Sequence, residues 1–201
     1  MKVFTQMYHH KDGIDLRKVT RYDLSFLLDL KNESWWGTHH TLISNIEDQE
    51  KWFDNIPDNQ LFMIAESKGV RIGVSVYTDI DLQNSCMRVS GSIAKSNRNS
   101  EIIPAAFACG VDFAFEMFNV NRIEAEVLEY HTSAQKLELD YIGFKVEGIR
   151  RNSVFKCGNY YDSLMLGLLR EEWKVQDRIK GYKGCCNFDF DKIINHPIQP
   201  A

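Results

Sequence analysis

The six residues WWGTHH at positions 35–40 hold two indoles and two imidazoles in one short run. Trp35 and Trp36 offer flat faces on which a sugar or a base can stack, and His39 or His40 can serve as a base near neutral pH. A second stretch, IAKSNRNSEIIPAAFACGVDFAF at 93–115, reads as the end of a strand, a polar loop and an amphipathic helix. Junctions of that kind hold phosphates, because the free N–H groups and the dipole at a helix start favour an anion. Phosphate loops normally carry glycines, whereas Asn99, Ser100 and Glu101 stand here. A third stretch, RIEAEVLEY at 122–130, carries Glu126 and Glu129 on opposite faces of a strand. A glutamate raised in pKa by burial can draw a proton through water.

The chain that must position these groups has 201 residues, 44% of them hydrophobic and 26% charged. That suits one soluble domain with a full core, or one domain with an appendage. A net charge of −4 argues against general nucleic-acid binding, which needs a basic face. The five cysteines, Cys86, Cys109, Cys157, Cys185 and Cys186, show no CxxC or Cys/His metal spacing, so no metal site is expected. Cys86, Cys109 and Cys157 lie in apolar-patterned segments and read as reduced, buried thiols. The first thirteen residues lack the apolar core of a signal peptide, and the run 102–118 is broken by Asp112 and Glu116. A cytoplasmic protein with no membrane partner is expected.

Residues 14–20 alternate as a strand, and 21–34 place Leu24, Leu27 and Leu28 at helical spacing. Residues 45–56 open with an acidic turn suited to a helix start, and Pro57 ends them. Strands at 61–67 and 70–80 flank Lys68–Gly69, a two-residue hairpin turn, and 84–95 gives a third strand. Ile103, Ala106, Phe107, Gly110, Val111, Ala114, Met117 and Phe118 recur as a long amphipathic helix. A strand at 122–130 precedes a helix at 132–144 that Thr132 or Ser133 can cap and Gly143 can stop. Two more strands, 144–155 and 160–173, complete the order β α α β β β α β α β β. Residues 174–201 lack periodicity and read as a tail appended to a domain at 1–173.

This order and three stretches resemble the GNAT (GCN5-related N-acetyltransferase) family, and within it the branch of ribosomal-protein alanine and amino-sugar acetyltransferases. The stretches are DGIDLRKVTRYDLSFLLDLKN, VDFAFEMFNVNRIEAEVLEYHTSAQ and YIGFKVEGIRRNSVFKCGNYYDSLMLGLLREEW, which together cover about residues 12 to 173. The resemblance implies an α/β fold, with a mixed, mostly antiparallel central sheet, a splayed strand pair and flanking helices. It implies an N-acyltransferase that moves an acetyl group from acetyl-CoA directly to a primary amine of a small molecule, an amino sugar or a protein. The splayed strand is then 89–95, so Ser92, Ile93, Ala94, Arg98, Asn99, Ser100 and His131 are implied to meet acetyl-CoA. The WWGTHH loop is implied to shape the acceptor site, and an open sheet edge makes a homodimer plausible.

Family members carry Gln/Arg-x-x-Gly-x-Gly/Ala in the phosphate loop, and this chain offers RNSEIIPA, with Arg98 in the arginine place. Asn99 tolerates the backbone conformation glycine is wanted for, whereas a Glu101 carboxylate repels a phosphate unless it turns outward. Pro104 fits only a first helical turn, which puts the helix start near Ser100–Glu101 with Ser100 as its cap. The family's asparagine place falls on His131. Its tyrosine acid falls on Leu139, or on Glu138 if HTSA sets the register, because this helix holds one extra residue. Tyr141 lies about two places off and stands as the candidate acid, with Glu126 and Glu129 as candidate bases. Two alternatives stay open: a GNAT-like binding module that has lost acetyl-CoA, and transfer from another activated donor.

Overall fold

A computed structural model describes residues 7–10, 13–39, 45–98 and 102–175. His40, Asn99, Ser100, Glu101 and nearly all of the expected tail lie outside the described residues. The strands are β1 (Tyr8–His9), β2 (Ile14–Lys18), β3 (Leu61–Ser67), β4 (Val70–Asp81), β5 (Cys86–Ile93), β6 (Arg122–Leu128), β7 (Lys145–Lys156) and β8 (Asn159–Leu169). The helices are α1 (Leu24–Ser34), α2 (Ile46–Asp54), α3 (Ile102–Phe118), α4 (Thr132–Lys136) and α5 (Arg170–Val175).

One sheet contains all eight strands in the order β1-β2-β3-β4-β5-β6-β8-β7. Every pair is antiparallel except β5 with β6. That parallel pair needs a crossover, which α3 supplies. The mixed, mostly antiparallel sheet implied by the sequence is therefore present. The Lys68–Gly69 turn also forms as expected, with φ of 51° and 75°, the positive pair that a tight hairpin demands.

Alternation along each strand divides the apolar side chains between two layers. Leu16, Met63, Tyr77, Ile123 and Leu168 belong to the cluster that α3 fills with Ala106, Phe113 and Ala114. Val19 and Ile64 face the other way, onto Leu27 and Leu30 of α1. Each such aliphatic side chain, fully buried, contributes about 1.5–3 kcal/mol. Tyr77 is wholly buried and donates its hydroxyl to the Gly110 carbonyl at 3.1 Å. A side chain at Gly110 would bring a Cβ to 3.1 Å from Ser75 Oγ, so glycine lets α3 sit low on β4.

Two polar knots fix the edges of this frame. Asp23 accepts both Arg17 terminal nitrogens at 2.8 Å, together with the Thr20 N–H and hydroxyl, each at 2.8 Å. Arg17 Nε reaches Glu66 on β3, also at 2.8 Å. On the α3 side, Asp112 joins His10 Nε2 at 2.8 Å and accepts the Trp173 indole N–H at 2.7 Å.

Several boundaries differ from the sequence expectation. The strand expected to run through 173 ends at Leu169, where Glu172 accepts the Leu169 N–H at 2.9 Å and opens α5. Arg170 fixes the turn by donating to the Val120 and Phe115 carbonyls at 2.8 and 2.7 Å. Neither Thr132 nor Ser133 caps α4: His131 occupies the cap position without a side-chain bond. Cys157, expected to be buried, is exposed at the β7–β8 turn with φ of 47°. Short β1 was not legible, because its two residues carry no periodicity. Among the described residues, no helix is long and apolar enough to cross a membrane.

Candidate active site

The opening in the sheet is set by strand pairing. β5 and β6 are in register only at Cys86–Arg122, Met87–Ile123 and Arg88–Glu124, although both strands run on. Beyond Arg88 and Glu124 they part. The Ala94 N–H bonds to the Ile72 carbonyl at 2.8 Å, which continues the β4–β5 register. By alternation, Ser90, Ser92 and Ala94 direct their backbone groups to β4, and Val89, Gly91 and Ile93 direct theirs into the gap. An open row of N–H and C=O groups is what an amide-bearing chain such as pantetheine can pair with. Of the expected contacts, Ile93 thus lines the gap, while the amide of Ala94 is engaged elsewhere. Val89 and Gly91 are the additional positions, found only once the ladder phase is known.

Arg98 lies at the far end of that row. Its Nε donates to the Ile93 carbonyl at 2.8 Å, and burial holds its guanidinium below its ordinary pKa. Glu33, at the end of α1, accepts the Lys95 N–H at 2.9 Å and pins the start of the loop. Arg98 also stands close enough to His131 to depress it. Burial is the larger cause of that imidazole's lowered pKa, and a backbone hydrogen bond at Gly37 opposes it.

His131 and the aromatic loop meet across the mouth of the gap. Trp36 lies 4.9 Å from the Tyr130 ring and 6.1 Å from Tyr161, and these two tyrosines are 4.7 Å apart. Tyr130 donates its hydroxyl to the Trp36 carbonyl at 2.7 Å, and burial pushes that phenol up to about 12. Lys156, 2% exposed, donates to the Trp35 carbonyl at 2.6 Å and sits 5.3 Å from the Trp35 ring centroid. Burial lowers its pKa. A side chain at Gly37 would bring a Cβ to 2.7 Å from the His131 ring. Gly37→Ala is therefore expected to push the loop off His131 and to cost about 1–3 kcal/mol of stability, which a lowered urea midpoint would show.

Glu126 projects from β6 on the face away from α3. Its carboxylate accepts the Ser163 hydroxyl at 2.5 Å and Arg150 Nη1 at 3.3 Å. It also lies 3.3 Å from His39 Nε2 and 3.6 Å from Arg88 Nη1. Burial pulls this carboxyl up, but Ser163, His39, Arg150 and Arg88 outweigh it and hold it below the ordinary range. The expectation of a base raised by burial is thus reversed for Glu126, because sequence spacing did not show the two arginines. Glu129 accepts the Asp162 N–H at 2.9 Å, a bond that ties β6 to β8. Tyr141 packs, half-buried, against the core beside α3. The structure therefore gathers Trp35, Trp36, His39, Glu126 and His131 around one mouth, with Arg98 at its rim, and leaves Glu129 in the sheet framework. Tyr130, Tyr161, Lys156, Arg88, Arg150 and Ser163 belong to the same mouth.

The acetyltransferase (GNAT) domain model matches residues 16–165. The chain belongs to the GNAT acetyltransferase family. A GNAT relative, named as the uncharacterized N-acetyltransferase p20 of Bacillus licheniformis, is 27% identical over 115 residues, or 57% of this chain. The match spans 64% of that protein's length. The spermidine N-acetyltransferase of Vibrio cholerae, solved with CoA and spermine, superposes with a TM-score of 0.76 at 19% identity, covering 82% of this chain and 99% of that one. A dodecameric structure of the Vibrio cholerae enzyme gives 0.69 at 21%, covering 84% and 99%. At these identities the likeness is one of GNAT fold.

Proposed function

We propose that this GNAT protein is an N-acetyltransferase that moves an acetyl group from acetyl-CoA directly to a primary amine. The parting of β5 and β6, which turns the backbone of Gly91 and the N–H of Ile93 into the gap while Arg98 holds the Ile93 carbonyl, is the observation that carries it. A pantetheine arm laid along that row would bring its thioester to the mouth where His39, Glu126 and His131 stand. Glu126, held as a carboxylate, takes the proton of the acceptor ammonium through His39 or a water. The aromatic wall of Trp36, Tyr130 and Tyr161 holds the body of the acceptor.

The charge of the mouth bears on the acceptor class. Glu126 is flanked by Arg88 and Arg150, and Arg88 is also 3.8 Å from Asp79. These four groups sum to no net charge, so this part of the mouth has no surplus carboxylate for a polycation. A small monoamine or amino sugar with a flat or apolar body suits the site better than a polyamine, and a protein amine fits if its side chain is aromatic or apolar. The exposed Val146 and Ile149 on edge strand β7 support a homodimer.

The tie from Arg98 back to Ile93 favours a second function, a GNAT-like module that has dropped the cofactor, because that arginine is partly engaged. Calorimetric titration with acetyl-CoA separates the two. Micromolar binding, followed by release of CoA thiol with monoamines faster than with spermidine, is the expected result. No heat at millimolar acetyl-CoA would sink acetyl transfer, and a preference for spermidine would sink the acceptor class.

A further inference from the structure

By alternation, Arg17, Arg88 and Arg122 all project from the face of the sheet away from α3. Their side chains are similarly exposed, at 26%, 32% and 29%. Their partners differ. Arg17 bonds through all three guanidinium nitrogens, to Asp23 and Glu66, and Arg122 does the same with Glu147 and Glu124. Arg88 makes no side-chain hydrogen bond among the described residues. Its Nε is shut off from solvent, bonds nothing and lies 3.8 Å from Asp79, while Nη1 lies 3.6 Å from Glu126. Both separations exceed hydrogen-bond length, so this guanidinium lends its charge to the site and keeps its directional donors unspent. A charged group with a buried, unbonded donor costs free energy and calls for a reason. Arg17 and Arg122 lock strands together; Arg88 locks none.

The place of Arg88 supplies a reason. It is the last β5 residue in register with β6, so it stands at the root of the gap, beside Glu126. The other cations of the mouth are already bonded: Arg150 donates to Glu126 at 3.3 Å and Lys156 to the Trp35 carbonyl at 2.6 Å. An unspent guanidinium fork matches a planar carboxylate, which it holds through two parallel bonds. Glu126, in the mechanism above, faces the acceptor ammonium. The two binding groups are only 3.6 Å apart, so the ammonium and the carboxylate they select belong to one compact molecule. An α-amino acid has a single carbon between these groups. Such a zwitterion also brings no net charge to Arg88, Arg150, Glu126 and Asp79, whose charges already balance. Its side chain is left for the wall of Trp36, Tyr130 and Tyr161, which selects a flat or apolar one.

We propose that Arg88 holds the carboxylate of the acceptor, and that the acceptor is a free α-amino acid with an aromatic or apolar side chain. The amine nitrogen bonds to the acetyl carbon as the C–S bond breaks with its electron pair on sulfur. The ammonium loses two protons, one ending on the CoA sulfur and one in solvent, and the carboxylate is unchanged. This acceptor class rests on acetyl transfer as proposed above. The test measures thiol release from acetyl-CoA with phenylalanine and leucine, each against its own carboxamide. Native protein should favour the free acid by about 10–100-fold in kcat/KM. Amine reactivity cannot produce that preference, because the amine of the amide is the weaker base and is more often neutral. Arg88→Gln should bring the ratio of acid to amide near one, and Arg88→Lys should restore part of it. A role confined to holding Glu126 ionised would lower acid and amide alike, and an unchanged ratio in Arg88→Gln would overturn the assignment of Arg88. Amides turned over by native protein as fast as the acids would overturn the acceptor class and leave acetyl transfer standing, as would turnover of spermidine with none of these four. Native protein that gives no heat with millimolar acetyl-CoA would remove both readings.

Discussion

Replacing Asp23 with alanine will destabilise the fold by about 3–5 kcal/mol, the range for removing one partner of a buried ion pair. Asp23 is 1% exposed and accepts four hydrogen bonds at 2.8 Å from Arg17 and Thr20. Alanine would leave the Arg17 guanidinium with Glu66 and a weak backbone contact alone and would uncap the turn before α1. Urea unfolding should show the midpoint falling with little change in slope. Burial raises the Asp23 carboxyl, but Arg17 and the Thr20 donors outweigh it and bring it to about 2, from an ordinary 3.8. Its contribution is therefore complete above pH 3.8 and is lost as pH falls through about 2, an amount of about 2 kcal/mol by linkage. Asp23→Asn should flatten that acid limb. A native-like midpoint in Asp23→Ala would show that the knot contributes little.

Glu138→Leu is expected to act in the opposite direction and raise stability at pH 7 by about 2–3 kcal/mol. The folded carboxyl ionises only near 8, against an ordinary 4.5, so between those values the folded state holds a proton that the unfolded state has released. Native stability then declines by about 1.4 kcal/mol per pH unit across that window. Glu138→Leu should abolish the decline, which urea midpoints at pH 5 and pH 7 would reveal. Parallel slopes in the two proteins would refute the rise of this carboxyl by burial.

The elements that carry a period were readable from residue types alone. Alternation at 61–80 and the helical recurrence from Ile103 to Phe118 announced β3, β4 and α3, and the Lys68–Gly69 turn followed from backbone sterics. The site was readable as a neighbourhood, through WWGTHH, His131 and Glu126, and not as a set of roles. Glu126 was assigned the wrong electrostatics because Arg88 and Arg150 come from strands β5 and β7, on either side of it in the sheet, which no local spacing reports. Ser92 and Ala94 were expected at the cofactor because ladder phase, which turns their amides toward β4, depends on pairing rather than on side-chain pattern. The surplus residue after α4 was visible in the sequence, and the structure takes it up in a π turn over Leu137–Ile142 that includes Glu138 itself.

The Asp112 knot has a consequence for how the chain assembles. One carboxylate on α3 holds His10, near one end of the described chain, and Trp173, near the other. This contact closes a long loop among the described residues, and long loops close late because their chain entropy is lost before any contact offsets it. During synthesis, α3 and the sheet can pair while Asp112 and Phe115 still lack the indole that covers them. The flank of α3 is sealed only after residue 173 has left the ribosome. Until then that flank of α3 keeps its apolar surface in water, so chains stalled before α5 should be the ones that aggregate or recruit chaperones.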